Sequence, residues 1–121
     1  MIAIRVTTEK VLDVIEIEPP VYKGLHELFG DYFEIVRPRG LKHQFVMIVD
    51  ESGLLKELPI NLVGSVLYET HIHGQPIVGD IIIMREIHNY DGADLASLEA
   101  ADVSELIEFL NDIASRYFIV E

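Results

Sequence analysis

The sequence predicts an α+β fold, with a mixed or antiparallel sheet and about three helices in the order β-β-α-β-β-α-β-α. Apolar residues alternate with polar ones over residues 2–17, which is typical of half-buried strands. The continuous apolar run at 81–84 indicates a central strand covered on both faces. Apolar residues recur every three or four positions at 103–114, which indicates an amphipathic helix. Hairpins outnumber crossovers in this pattern, so the sheet is expected to be mixed or antiparallel.

The first strands and the first helix follow from local composition. Residues 2–6 and 11–17 are expected to form a hairpin. Pro20 is suited to the start of a helix, because the N–H that proline lacks would be unpaired there. Gly30 is placed to end that helix, since glycine readily adopts the left-handed conformation of a C-cap.

A second hairpin is predicted next. β-Branched and aromatic runs at 32–36 and 45–49 flank a basic tip at 37–43. Residues 50–53 have the composition of a turn, and 54–58 are expected to return as a short strand.

The middle of the chain is predicted to hold a short helix and the central strand. Asn61 is the expected N-cap of a helix that continues to about Tyr68. Gly64 and Ser65 within this helix indicate close packing. Residues 78–87 are predicted to form the buried central strand.

The C-terminal end is predicted to hold a loop, a helix and a last short strand. Residues 89–94 are rich in turn formers and are expected to form the loop. Asp102 and Glu105 have the spacing of an N-terminal capping pair for the helix that carries the apolar stripe at 103–114. Residues 117–120 are the candidate strand.

The composition predicts one domain that covers residues 1–121. Half of the 121 residues are apolar, which is enough for one core without disulfides or metal, and no cofactor is expected. No apolar run approaches the roughly 18–20 residues of a membrane span, and the N-terminus lacks the pattern of a signal peptide. The chain has no cysteine, which fits a reducing compartment, so a cytoplasmic location is predicted.

The net charge of -12 is unevenly distributed along the chain. The first fifty residues carry 8 acidic and 6 basic side chains, whereas the remainder carries 13 acidic and 3 basic ones. Between Glu86 and Ser115 there is no Lys or Arg at all. Such a surface repels phosphates, which argues against direct binding of nucleic acid.

The acidic C-terminal region provides the predicted partner-binding residues. These are Asp94, Asp102, Glu105, Glu108 and Asp112. Carboxylates spaced by three or four residues share one face of a helix. That face is a solvated surface, a surface for a basic protein partner, or a mimic of the phosphate spacing of DNA.

The pattern Glu69-x-His71-x-His73 suggests a metal site. In an extended segment these alternate side chains would point the same way, and Asp80 could approach from the next strand. The corresponding function is a metal-dependent hydrolase. Because most histidines in polar loops bind nothing, a solvated loop is the favoured interpretation.

The tip of the second hairpin carries Arg37, Arg39, Lys42 and His43. Such a tip could bind a phosphate group or an acidic surface of a partner. The favoured interpretation is a solvated tip whose charges balance the acidic half, since no aromatic residues interleave with the patch as single-strand binding would require.

Three short motifs and the C-terminal helix carry a family resemblance. The motifs are Leu-Pro-Ile-Asn at 58–61, Ser-Val-Leu-Tyr at 65–68 and Ile-Val-Gly-Asp at 77–80. A Ser-Leu pair at 97–98 precedes a predicted helix that begins at Asp102. With these features the chain resembles a family of small phage- and plasmid-borne bacterial domains of unknown function. This resemblance implies an accessory protein of a mobile element, and it implies no activity and no catalytic residues.

The sequence therefore predicts a non-enzymatic protein-interaction module of a phage, prophage or plasmid. No phosphate loop, nucleophile elbow or dinucleotide motif is present, so an enzyme is disfavoured. The alternatives are a DNA-mimic inhibitor of a DNA-binding protein and the hydrolase described above. A homodimer formed through an edge strand of the sheet is a further alternative.

Overall fold

In residues 1–30 and 32–117, which the computed structural model describes, the chain forms an α+β fold with a six-stranded antiparallel sheet and four helices. The strands are β1 (Ile2–Val6), β2 (Leu12–Glu16), β3 (Phe33–Val36), β4 (Phe45–Asp50), β5 (Ile81–Asn89) and β6 (Gly92–Ala96). The helices are α1 (Val21–Phe29), α2 (Leu62–Leu67), α3 (Thr70–His73) and α4 (Ala100–Arg116). The predicted fold class is confirmed, and β6 and α3 are additional to the predicted elements.

Strand β5 lies in the middle of the sheet. The strand order is β2-β1-β5-β4-β3, and β6 also pairs with β5. The first part of β5 pairs with β1, where Ile83 lies opposite Ile4. The last part pairs with β6, where Glu86 lies opposite Leu95. The apolar run that predicted a central strand is therefore buried between β1 and β4.

The strands present their side chains alternately to two cores. Ile4, Met47 and Ile83 face the core on one side, whereas Ala3 and Ile82 face the other. The first core is completed from α2 and α4 by Val63, Leu67, Leu106, Leu110 and Ile113. Helix α1 covers the second core. This packing fixes α4 on the sheet, with its outer surface facing solvent.

The ends of α1 follow the prediction, whereas α4 begins earlier than expected. Pro20 is the N-cap of α1, and Gly30 ends the helix in the left-handed conformation with φ of 69°. In α4, Glu99 is the N-cap, and the Asp102 carboxylate accepts the N–H of Glu99 at 2.9 Å. The predicted capping pair of Asp102 with Glu105 is wrong, because the helix begins one turn earlier and Asp102 occupies its third position.

Three local predictions in the loops are also wrong. Residues 54–57 form turns and Leu58 is irregular, because the backbone N–H groups of residues 56–58 bond to carbonyl groups of residues 52–54 rather than to the sheet. Residues 69–73, for which a solvated loop was favoured and an extended segment was the condition of the metal site, contain α3. Residues 89–94, expected to be a loop, hold the end of β5, a tight turn and the start of β6. Of the strand predicted at 117–120, residues 118–120 lie outside the described part of the chain.

Candidate functional site

The short motifs of the resemblance meet at one buried junction. Asn61 is fully buried, and its amide nitrogen donates to the carbonyl oxygens of Val6 at 3.0 Å and Gly79 at 2.9 Å. Its side-chain oxygen accepts the N–H of Gly64 at 2.9 Å, so the predicted N-cap of α2 is confirmed. One side chain therefore connects the end of β1, the turn before β5 and the start of α2.

Ser65 and Gly64 complete this junction. The hydroxyl of Ser65 accepts the N–H of Ile77 at 3.0 Å and donates to the carbonyl of the same residue at 3.3 Å. A Cβ atom at Gly64 would lie only 2.9 Å from the Ile77 side chain, which confirms the close packing predicted for α2. Because their polar groups are bonded inside the fold, these residues stabilise the structure and are not free for chemistry.

The outward face of α4, defined here by Glu105, Glu108, Phe109 and Asp112, is the best candidate for an interaction surface. All four residues are exposed on a helix whose opposite side is buried in the core. Phe109 keeps 40% of its surface exposed. A rigid helix that presents carboxylates around an aromatic ring has the composition of a binding surface.

An apolar groove borders this face. It has a volume of about 410 Å³ and lies between α4 and the β3–β4 loop. Leu41 and Phe45 line it together with Phe109. Lys42 and Glu105 also line it and form an ion pair with each other, which ties the loop to the helix.

Two of the predicted partner-binding carboxylates have roles inside the fold. Asp102 caps the start of α4, as described above. Asp94 lies on β6 and accepts a hydrogen bond from the Asn89 amide at 2.9 Å, within the β5–β6 hairpin. The structure therefore does not bring Asp94 onto the helix with the others.

The other three predicted carboxylates lie on the outward face of α4. Glu105 is paired with Lys42, and Asp112 is paired with Arg116 at 3.1 Å one turn along the helix. Glu108 has no ion-pair partner within the described residues. Glu108 is thus the carboxylate of this face that is most available to another protein.

His71 and His73 do not have the geometry that the metal-site prediction assumed. They lie on α3, and side chains two positions apart on a helix point in different directions. The ring of His73 lies against Tyr68, with 4.8 Å between centroids, and Asp80 accepts the N–H of Thr8 at 3.2 Å. In the part of the chain that the structure describes, no group of three or more His, Asp or Glu side chains is arranged to hold a metal ion.

An ion pair joins the basic tip of the second hairpin to a buried carboxylate of β5. Glu86 is 6% exposed, and both its oxygens accept hydrogen bonds from Arg37, at 2.8 Å from Nε and 2.5 Å from Nη2. His88 Nε2 lies 3.4 Å from the same carboxylate. The hydrogen bond from Arg37 holds the pKa of Glu86 below its usual value, and the pKa of Arg37 is raised in turn.

Sequence reasoning missed Phe109 and the role of Glu86. Phe109 stands on the polar side of an amphipathic helix, and an aromatic residue in that position was the signal that could have identified it. Glu86 directly follows the apolar run of β5 and its neighbour Arg85. A carboxylate in such a buried position requires a hydrogen-bonding or oppositely charged partner. That partner lies 49 residues away in sequence and could not be assigned without the fold.

The geometry defines a small α+β domain with an acidic helix face and a structural junction where the short motifs meet. The chain belongs to a family described as a domain of unknown function (DUF3846), whose model matches residues 1–111. The resemblance predicted a family of unknown function, and that part of the prediction is confirmed. No curated protein and no solved structure matches the chain. Among residues 1–30 and 32–117, no helix combines the length and apolar character that crossing a membrane requires.

Proposed function

We propose that this chain is a non-enzymatic protein-interaction module of a bacterial phage, prophage or plasmid, and that the outward face of α4 binds a basic protein in the cytoplasm. The mobile-element setting rests on the family resemblance and the location on the cysteine-free composition. The binding role rests on the surface of α4.

The observation that carries the proposal is the presence of an unpaired carboxylate of the described chain, Glu108, next to an exposed aromatic residue, Phe109, on the outward face of α4. Glu108 lacks an ion-pair partner in the described chain, and the neighbouring Phe109 ring is 40% exposed. Aromatic residues, including Phe, are enriched at protein–protein interfaces, and charges around them favour one partner over another. The apolar groove beside Phe109 offers space for an apolar side chain of the partner.

The net charge of the chain favours a basic partner. A charge of -12 raises the rate at which a positively charged protein meets this surface, and salt weakens that effect. The retention of a partner through α4 should therefore decrease as salt is added.

The DNA-mimic alternative has weaker support. A mimic of DNA requires a row of unneutralised charges at regular spacing. On this face Lys42 pairs with Glu105, and Arg116 pairs with Asp112, so the row is interrupted. Competition with DNA for a DNA-binding enzyme would distinguish this alternative.

Affinity capture from a bacterial lysate at low and high salt tests the proposal, with bound proteins identified by mass spectrometry. Glu108→Lys reverses a charge on the outward face of α4. Glu27→Lys makes the same change at an exposed position of α1, which lies on the opposite side of the sheet. We expect a basic protein that is retained at low salt by the wild type and by Glu27→Lys, and that is lost with Glu108→Lys.

Two results would contradict the proposal. One is the absence of any salt-sensitive partner. The other is equal loss of the partner with Glu108→Lys and Glu27→Lys, which would indicate an effect of total charge rather than of this face.

A further inference from the structure

We propose that a pocket between the β3–β4 loop and the end of β5 binds a small ligand that joins a phosphate group to an apolar body. This pocket shares Arg39, Leu41 and Phe45 with the groove beside Phe109, but it contains no residue of α4 and goes beyond the proposed function. The pocket has a volume of about 390 Å³, within the range of small-molecule sites.

The base of the pocket is apolar. Pro38, Leu41 and Phe45 line it, and all three are buried. Phe45 begins β4 and belongs to the core beneath α4, so this surface is held in place by the fold. Although these three side chains are mostly buried, most of the open surface of the pocket is apolar, and a ligand with an apolar body would cover more of that surface than a small anion would.

The rim of the pocket carries groups that donate hydrogen bonds. Arg39, His43 and His88 line the pocket and are exposed. Arg39 has no carboxylate partner in residues 1–30 and 32–117. In a chain with a net charge of -12, a guanidinium and two imidazoles around one apolar depression form a local exception to the acidic surface.

The ion pair beneath the rim prevents the pocket from repelling an anion. Glu86 lines the pocket, but Arg37 bonds both of its oxygens, and the charge of that carboxylate is matched. The same carboxylate lies 3.4 Å from Nε2 of His88 and so helps to hold that ring at the rim. Arg39 therefore remains the cation that is available to a ligand.

The donor set fits phosphate better than carboxylate. A guanidinium presents a planar fork that bonds two oxygens, and the exposed imidazole of His43, on the same loop as Arg39, can donate an N–H to a further oxygen. A phosphate monoester has three terminal oxygens to satisfy these donors, whereas a carboxylate has two. Charge-assisted bonds of this type are the strong ones in such sites.

Calorimetric titration with phenyl phosphate, inorganic phosphate and benzoate tests this proposal. Phenyl phosphate combines both features of the predicted ligand, and each of the other two lacks one. We expect phenyl phosphate to bind most tightly and to shift the imidazole resonances of His43 and His88 in NMR spectra. No binding of phenyl phosphate would overturn the proposal, and equal affinity for benzoate or inorganic phosphate would overturn the ligand assignment.

Paired variants identify the residue that holds the phosphate. Arg39→Gln removes the free guanidinium, and Lys23→Gln removes one positive charge from exposed α1, outside the pocket. We expect Arg39→Gln to reduce the affinity for phenyl phosphate by about tenfold or more, and Lys23→Gln to change that affinity by less than about twofold. Unchanged melting temperatures would show that both variants fold. Equal effects of the two variants would overturn the proposal.

Discussion

Replacement of Arg37 by methionine tests how much the ion pair with the buried Glu86 carboxylate stabilises the fold. The substitution removes two charge-assisted hydrogen bonds, of 2.8 and 2.5 Å, from a carboxylate whose side chain is only 3% exposed. Loss of one partner of a fully buried pair costs about 3–5 kcal/mol. The Arg37 side chain is 56% exposed, so water screens the pair, and we expect a loss of about 2 kcal/mol. For a chain of this size that loss lowers the melting temperature by about 6–10 °C.

The pH dependence of this loss has a defined sign. The folded chain lowers the pKa of Glu86 from its ordinary value of 4.5, so the pair contributes its full stability above that value. The contribution is lost as the pH falls through the lower pKa of the folded state. The difference between the wild type and Arg37→Met should therefore be largest near neutral pH and should decrease well below pH 4.5.

Urea denaturation at several pH values measures this difference, with Arg39→Met as the control. Arg39 is an exposed arginine of the same loop, and its replacement should change stability by no more than about 0.5 kcal/mol. Equal destabilisation by the two variants would show that the bonds from Arg37 to Glu86 add no stability of their own. A difference between the wild type and Arg37→Met that does not change with pH would contradict the role assigned to the charged form of Glu86.

The remaining predictions concern the structural junction and the histidines. Asn61→Ala should reduce the free energy of unfolding by about 3 kcal/mol in urea denaturation, since it removes a helix cap and leaves two buried carbonyl groups without this donor. Gly64→Ala should cost about 1–3 kcal/mol in the same assay, because its Cβ would crowd Ile77; no loss would show that α2 can move away. Added zinc should leave the melting temperature unchanged, and a rise that disappears in the His71→Ala and His73→Ala variants would support the metal-site alternative.

The sequence predicted the elements whose apolar pattern is long and regular. The run at 81–84 allowed one interpretation, because an apolar segment of that kind must be covered on both faces. The stripe at 103–114 predicted α4, although its start was placed too late, since Asp102 resembles an N-cap as well as the third residue of a capping box. Asn61 was predicted as a cap, but its bonds to two distant carbonyl groups depend on how the strands meet.

The elements that were missed have weak local patterns. Helix α3 has only four residues, too few for a helical period to be recognised. Strand β6 begins with Gly92 and contains Asp94, which are both uncommon in strands. It forms because β5 extends beyond β1 and offers an edge for pairing. A neighbouring strand, and not local propensity, therefore determines the structure of this segment.

The candidate sites were predicted only in part. The acidic face of α4 followed from the spacing of its carboxylates, but the pairing that singles out Glu108 did not. Lys42 and Glu105 are 63 residues apart in sequence, and only the fold brings them together. Phe109 could have been recognised by its position on the polar side of the helix, whereas the groove beside it requires the β3–β4 loop.

The role of α4 in binding is tested most directly by a map of the surface that the captured basic partner covers. Two-dimensional amide NMR spectra of the labelled chain would be recorded with and without the purified partner. We expect the largest changes at four residues of α4: Glu105, Glu108, Phe109 and Asp112. Changes confined to α1, on the other side of the sheet, would contradict this expectation.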